Sequence, residues 1–475
     1  MNFDLSNRKE VLAATLERID RYYQNTKDFK ASPVLDINNI KDFIGRMNLN
    51  KSSIPEEAID HVLDGLENFS VHTPHPKYFG LFNPRSNFAG ILADIITAFY
   101  NPQLAAWSHA PFAVEIEAKV IKDMASKFGY EEKSSDGVFT TGGAEANLTA
   151  LLCALNDKYE KYSVEGLLTF NKRPIVYCSQ EAHHSIQKAA RTVGLGVDSV
   201  RTIKTNSDLA LDIQDLKRAL YELDKERYEP LIIIGTAGTT GTGAIDDLKS
   251  LNQLCKSHGI WFHVDAAYGG GAVLSDSLKN NLDHIQHSDS ITFDAHKWMS
   301  VPMGTSMFLT SHNDILSKTF RITTEYMPKE ANDLDVIEPY SHSIQWSRRF
   351  NGLKIYLSLL IYGWQEYEKI IDHQARMGEV LRSKLINDGW VVKNKTPFPI
   401  VCFTDSILVS DEQFTSIVLD RILSSGKSWL SVYPVNGVPC FRACITNYST
   451  TEHEVSELVN ELNMERERYT AIQGV

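Results

Sequence analysis

WFHVDAAYGGG, residues 261–271, is a run of apolar residues that ends on an acid and then breaks into small residues and glycines. Side chains alternate along a strand, so His263 and Asp265 share one face, with Asp265 at the strand's C-terminal end. Open α/β sheets bind their ligands outside the C-terminal ends of their strands. An acid buried there is costly unless a partner supplies charge or a hydrogen bond. Other short apolar runs, bounded by turns or helices, lie at residues 175–177, 231–235 and 290–293. They predict strands buried on both faces, as in a mostly parallel α/β sheet.

Two further segments add chemistry. In TTGGAEANLTA, residues 140–150, a strand signal at Val138 and Phe139 stops at two glycines and an alanine- and leucine-rich helix begins. Glycines there let backbone N–H groups face an anion at the positive end of the helix dipole, although an ordinary strand-to-helix turn reads the same way. In SITFDAHKWM, residues 290–299, a strand ends at His296 and Lys297, flanked by Trp298 and Met299. Apolar surroundings disfavour the lysine's charge and free its amine for a Schiff base, whereas a lone lysine beside a tryptophan is commonly a surface residue. Taken together, the segments offer a phosphate cradle, an acid for a ring nitrogen and a lysine for an aldehyde. Pyridoxal phosphate needs all three.

On these residues the chain resembles the group II pyridoxal-phosphate-dependent amino-acid decarboxylases, which include the aromatic-L-amino-acid, glutamate and cysteine-sulfinate decarboxylases. The resemblance runs from HPKYF (75–79) to FRA (441–443), and HVDAAYGG with DAHKW is its most specific part. It implies an α/β pyridoxal-phosphate fold of type I, aspartate-aminotransferase-like, with a mostly parallel central sheet, an N-terminal helical segment and a small α+β C-terminal domain. It implies that Lys297 carries the cofactor, His296 contacts the phosphate, Asp265 pairs with the pyridine nitrogen and Ala267 packs on the ring. His183, in AHHSI (182–186), would stack on the opposite ring face. Gly143 and Ala144 fall where the family binds phosphate, and Thr239 and Thr240 occupy a turn that approaches the cofactor.

The same resemblance bears on the reaction. Tyr326, in FRITTEY (320–326), aligns with a mobile-loop tyrosine that reprotonates the substrate carbon, and the acidic stretch from Pro328 to Pro339 suits a lid. Arg442 matches an arginine that meets a substrate carboxylate; Phe82, Asn83, Trp107 and His109 are further candidates on the substrate side. The implied activity is decarboxylation of an L-amino acid to an amine and carbon dioxide. Aldehyde synthesis with oxidative deamination, or aminotransfer, on the same scaffold is the alternative. A homodimer with active sites at the subunit interface is also implied. The pattern has departures: Asp294 stands where many members carry asparagine, and LFNPR (81–85) fits neither the aromatic nor the glutamate subfamily. Ala105 and Ala106 precede Trp107 where aromatic decarboxylases are bulkier, so the substrate side chain stays open.

Composition sets the frame for this chemistry. A chain of 475 residues predicts several domains, drawn here as a helical segment at 1–75, a cofactor domain at 76–360 and a small domain at 361–475. The net charge of −12 argues against nucleic acid or an anionic membrane as partner, so His296, Lys297 and Arg442 are expected to supply local positive charge. No stretch approaches the roughly 20 apolar residues of a membrane span. The first residues lack the apolar core of a signal peptide, and the six scattered cysteines read as core thiols in a reducing compartment rather than as a metal site. The expected location is cytoplasmic. Gly426-Lys-Ser428 lacks the first P-loop glycine, Gly194-Leu-Gly196 lacks a third, and Asn147-Leu-Thr149 is a formal glycosylation sequon inside a helix start. None of the three is assigned a function.

Overall fold

The computed structural model describes residues 6–322, 334, 336–411 and 413–473. The chain forms two compact units, one of Ser86–Ala375 with Asn394–Ile400, the other of Met1–Arg85, Arg376–Lys393 and Val401–Val475.

The first of these units is built on seven strands: β1 (Asp136–Thr140), β2 (Arg173–Ser179), β3 (Val200–Ile203), β4 (Tyr228–Thr236), β5 (Trp261–Asp265), β6 (Ser290–Asp294) and β7 (Ser306–Thr310). Their order across the sheet is β1-β7-β6-β5-β4-β2-β3, and only β7 runs antiparallel to its neighbours. The apolar runs read from the sequence are β2, β4, β5 and β6, and every residue of β5 and β6 is buried. That burial explains why these strands carry continuous apolar runs rather than a polar face. Register aligns the C-terminal ends: Thr236 pairs with Asp265, and Asp265 with Thr292. On the other side Ser306 at the start of β7 pairs with both Thr140 and Asp294.

The helix Gly143–Lys158 lies over this sheet. Its Ala146, Ala150, Leu151 and Ala154 join Val138, Val176, Ile232 and Trp261 in one buried cluster. The small side chains let the helix approach the strands closely. The glycines after β5 serve the same end. A Cβ on Gly269 would lie 2.2 Å from the Ala237 carbonyl oxygen, and one on Gly271 would lie 2.8 Å from Cβ of Trp298. The segment therefore packs backbone-first against the turn after β4 and against Trp298, whose ring stacks on Tyr268 at 5.1 Å.

The other unit has a second sheet, β8 (Trp390–Val392), β9 (Ile400–Asp405), β10 (Ser431–Val435) and β11 (Val438–Cys444), in the order β10-β11-β9-β8. Trp390 meets Phe403 and Phe441 edge-on at the centre of its core, which the helix Glu452–Gln473 closes with Val455, Leu458 and Leu462. The N-terminal helices Arg8–Gln24, Ile37–Gly45 and Pro55–Phe69 belong to this same unit. Backbone bonds from Ser32 to Gly426 and from Phe79 to Trp429 tie them to it. All six cysteines are buried, and no described helix is long and apolar enough to cross a membrane.

A methyl group at position 269 tests the backbone-first packing. Gly269→Ala is expected to destabilise the fold by about 1–3 kcal/mol, the usual cost of overpacking, read as a lower melting temperature. An unchanged melting curve would show that the Ala237 turn yields freely.

Candidate active site

The strand ends of the large sheet open onto one cleft, lined from several elements at once. Lys297 sits on the short helix Ala295–Trp298 immediately after β6, with Nζ 2.9 Å from Oδ2 of Asp294. Asp294 is buried, and its Oδ1 has no hydrogen-bond partner. Gly143, the first residue of its helix, abuts the same carboxylate. A Cβ there would lie 3.0 Å from Asp294 Oδ2 and 3.3 Å from Cβ of Ala267. The helix start has no side-chain cap, so its peptide N–H groups are the natural seat for an anion beside Lys297.

Asp265, at the end of β5, is buried and accepts from Asn147 Nδ2 at 2.8 Å and from the Ala267 N–H at 3.1 Å. His183 follows β2 and lines the same cleft. Its Nδ1 accepts the Ser185 N–H at 3.2 Å and faces the Ser185 hydroxyl at 2.8 Å, so a neutral ring carries its proton on Nε2. Burial pushes the His183 pKa down, Asp265 opposes that and Lys297 reinforces it. A neutral imidazole can lie on a protonated pyridine ring without repulsion. An uncapped glycine cradle, a buried acid and a lysine within the same cleft fit pyridoxal phosphate, although the lysine is ion-paired to Asp294 rather than set in the apolar surroundings expected from the sequence.

The comparisons with known proteins agree. The model of the pyridoxal-dependent decarboxylase conserved domain matches residues 46–405. This chain belongs to the pyridoxal-dependent decarboxylase family. It is 28% identical over 471 residues to an aromatic-L-amino-acid decarboxylase of Bacillus atrophaeus, covering 97% of this chain and 96% of that one. It is 27% identical over 428 residues to a phenylacetaldehyde synthase of Petunia hybrida, covering 85% and 84%. Among solved structures, Oryza sativa TDC with PLP and tryptamine superposes with a TM-score of 0.91 over 98% of this chain and 99% of that chain, at 22% identity. Likeness at that identity speaks to the fold, which is the type I pyridoxal-phosphate architecture expected from the sequence. The cofactor of this decarboxylase is pyridoxal phosphate and its substrate an amino acid.

Within the decarboxylase, the residues named from sequence separate into groups. Gly143, Ala144, His183, Thr240, Asp265, Ala267 and Lys297 line the one cleft. Thr239 turns away from it: its hydroxyl accepts the Ala244 N–H at 3.1 Å and faces Thr242 at 3.0 Å, closing the turn that presents Thr240. His296 is buried beside Asp294, and its Nδ1 donates to the Thr305 carbonyl at 3.0 Å. Burial lowers its pKa below the usual value, so it contributes a neutral ring rather than the cation expected of it. Trp107 and His109 form a short helical turn outside this lining, with the Trp107 indole donating to Glu115 at 2.8 Å. Phe82, Asn83 and Arg442 lie in the other unit, where Arg442 donates to the Gly80 carbonyl at 2.9 Å and stands 5.2 Å over the Phe82 ring. Asn83 there accepts from the Tyr78 hydroxyl at 3.0 Å. Tyr326 lies outside the described residues. Sequence reasoning passed over Asn147, which touches Asp265 directly; only a polar residue at a helical core position signalled it.

His263 shares the buried face of β5 with Asp265, and burial pushes its pKa down to about 4. Its proton uptake on unfolding gives a sign. The unfolded chain protonates this ring near pH 6.5 and the folded chain only near 4, so stability is lost as pH falls through that window. The stability advantage of wild type over His263→Gln is expected to shrink by about 3 kcal/mol between pH 7 and pH 4, measured by denaturant unfolding at each pH. A constant difference would mean that the ring is already charged in the fold.

Proposed function

We propose that the enzyme removes the α-carboxylate of an L-amino acid and releases the amine and carbon dioxide, with Lys297, Asp265, His183 and Tyr326 as its catalytic residues. The observation that carries this reading is one cleft holding Lys297, Asp265 and His183 beside the uncapped helix start at Gly143. Bound pyridoxal phosphate supplies an aldehyde for the substrate amine and an electron sink for the carbon that loses carbon dioxide. Lys297 Nζ would hold the cofactor. The Asp265 carboxylate would hold a proton at the ring nitrogen, and Ala267 and His183 would pack against the ring. The peptide groups of Gly143 and Ala144, with Thr240 and His296, seat the phosphate. Tyr326 delivers a proton to the α-carbon, which commits the reaction to the amine. Arg442 receives the substrate carboxylate, with Phe82 and Asn83 beside it.

The Bacillus atrophaeus and Petunia hybrida relatives are both named for aromatic chemistry, which supports an aromatic side chain as the first substrate class to test. The Petunia hybrida relative also favours a second reading, formation of an aldehyde, and Tyr326 is the residue that discriminates the two. The assembly we propose is a homodimer in which Trp107 and His109 complete the neighbour's site. Phe99, Tyr100 and Phe112, all more than 60% exposed, offer the apolar surface that such a contact covers. Six scattered, buried cysteines support a cytoplasmic location.

Purified protein supplied with pyridoxal phosphate is expected to show a visible absorbance band that Lys297→Ala abolishes. A colourless wild type would sink the reading. Incubation with a pooled amino-acid panel, scoring carbon dioxide, amine, aldehyde and peroxide together, identifies substrate and product. In Tyr326→Phe the product is expected to pass from amine to aldehyde, and an unchanged amine yield removes Tyr326 from the reaction.

A further inference from the structure

Asn147 is 2% exposed, and its side chain uses every hydrogen-bonding position it has. Nδ2 donates to Asp265 at 2.8 Å and to the Ser185 hydroxyl at 2.9 Å. Oδ1 accepts from Thr292 at 2.8 Å and faces His263 Nε2 at 3.0 Å. The orientation of the amide follows from chemistry: a carboxylate can only accept, so the NH2 group must face Asp265.

That one choice propagates in both directions. Oδ1 must then receive a proton from His263, so Nε2 of that ring is the protonated nitrogen and Nδ1 is bare. Nδ1 takes the hydroxyl proton of Ser290 at 2.8 Å, and Ser290 in turn accepts from the Trp261 indole at 2.9 Å. An indole N–H can only donate, so the chain of bonds has a fixed sense from Trp261 to Asp265. On the other side Ser185 receives the Asn147 proton and passes its own to His183 Nδ1, which leaves the His183 proton on Nε2. The lowered pKa values of His183 and His263 agree with two neutral rings.

We propose that Asn147 is a positioning residue for the cofactor: it fixes the Asp265 carboxylate and, through Ser185, holds His183 as its Nε2–H tautomer. An amide is the group of this size that can donate to a carboxylate and an alcohol while accepting from an imidazole and a hydroxyl. An acid here would set a second carboxylate against Asp265, and a leucine would leave four polar partners unanswered. The titratable groups facing Asn147 are His263 and Asp265 from β5 and, through Ser185, His183; Lys297 and Asp294 line the same cleft. The inference rests on the roles proposed for Asp265 and His183.

The test titrates cofactor-free full-length protein with pyridoxal phosphate, following the visible band and the dissociation constant across pH. Asn147→Leu is expected to bind about tenfold more weakly, the scale of a lost hydrogen bond to a charged group, and to shift the band. Asn147→Asp is expected to bind weakly at alkaline pH and to recover as pH falls, because only the protonated acid can donate to Asp265. Asp265→Ala, run alongside, separates the two readings. If it binds like wild type, the role of Asp265 fails first. If it loses binding while both Asn147 variants bind normally with a wild-type pH response, the role of Asn147 is overturned. Lower melting temperatures with normal binding would reduce Asn147 to a packing residue and overturn it too. Should Asn147→Leu not fold, the pH response of Asn147→Asp decides the matter.

Discussion

A carboxylate taken out of water at the end of β5 constrains everything around it. Asp265 ends a strand whose residues are all buried, and a bare charge there would cost several kcal/mol. The fold answers with an amide from Asn147 and a peptide N–H from Ala267. For Asn147 to reach, its helix must lie close over the sheet, which calls for Ala146, Ala150 and Ala154 on the face it buries. The helix begins at Gly143 without a side-chain cap, so the placement that satisfies the acid also brings a positive helix end to Lys297. One requirement, met by one helix, sets both ends of the cleft.

Much of this was legible in the sequence where the signal was local. Alternation along a strand placed His263 and Asp265 on one face, and a single residue, Asn147, bonds to both. The glycine pair at 142–143 and the strand end before Lys297 announced the cleft because each is a break in a short periodic pattern. What escaped were facts that depend on partners far along the chain. Asn147 meets groups 116, 118 and 145 positions away, and nothing in its neighbourhood distinguishes it from a sequon asparagine. Thr239 and Thr240 are adjacent and chemically alike, yet the Thr239 hydroxyl turns to the Ala244 N–H while Thr240 lines the cleft. Trp107 could not be followed beyond its turn, since the Glu115 that binds its indole is an ordinary exposed helix acid in sequence.

The acidic balance of the chain takes on a different meaning at the site. The described lining of the cleft includes the carboxylates of Asp265 and Asp294 and the ammonium of Lys297. Burial holds His183 and His296 toward their neutral forms, so neither adds a standing positive charge. Side chains alone therefore leave the described lining no more positive than the chain as a whole. The anionic phosphate proposed for this cleft would draw its attraction from peptide N–H groups at the start of Gly143–Lys158, whose partial charge does not appear in any count of residues. Asp294 sharpens the point. Its Oδ2 pairs with Lys297 while Oδ1 has no partner, so the lysine's charge is partly answered within the chain and the peptide dipoles carry more of the burden. That division also explains why position 143 is a glycine. A Cβ there would meet Asp294 and Ala267 at 3.0–3.3 Å and crowd the helix end just where the proposed phosphate would need its N–H groups open.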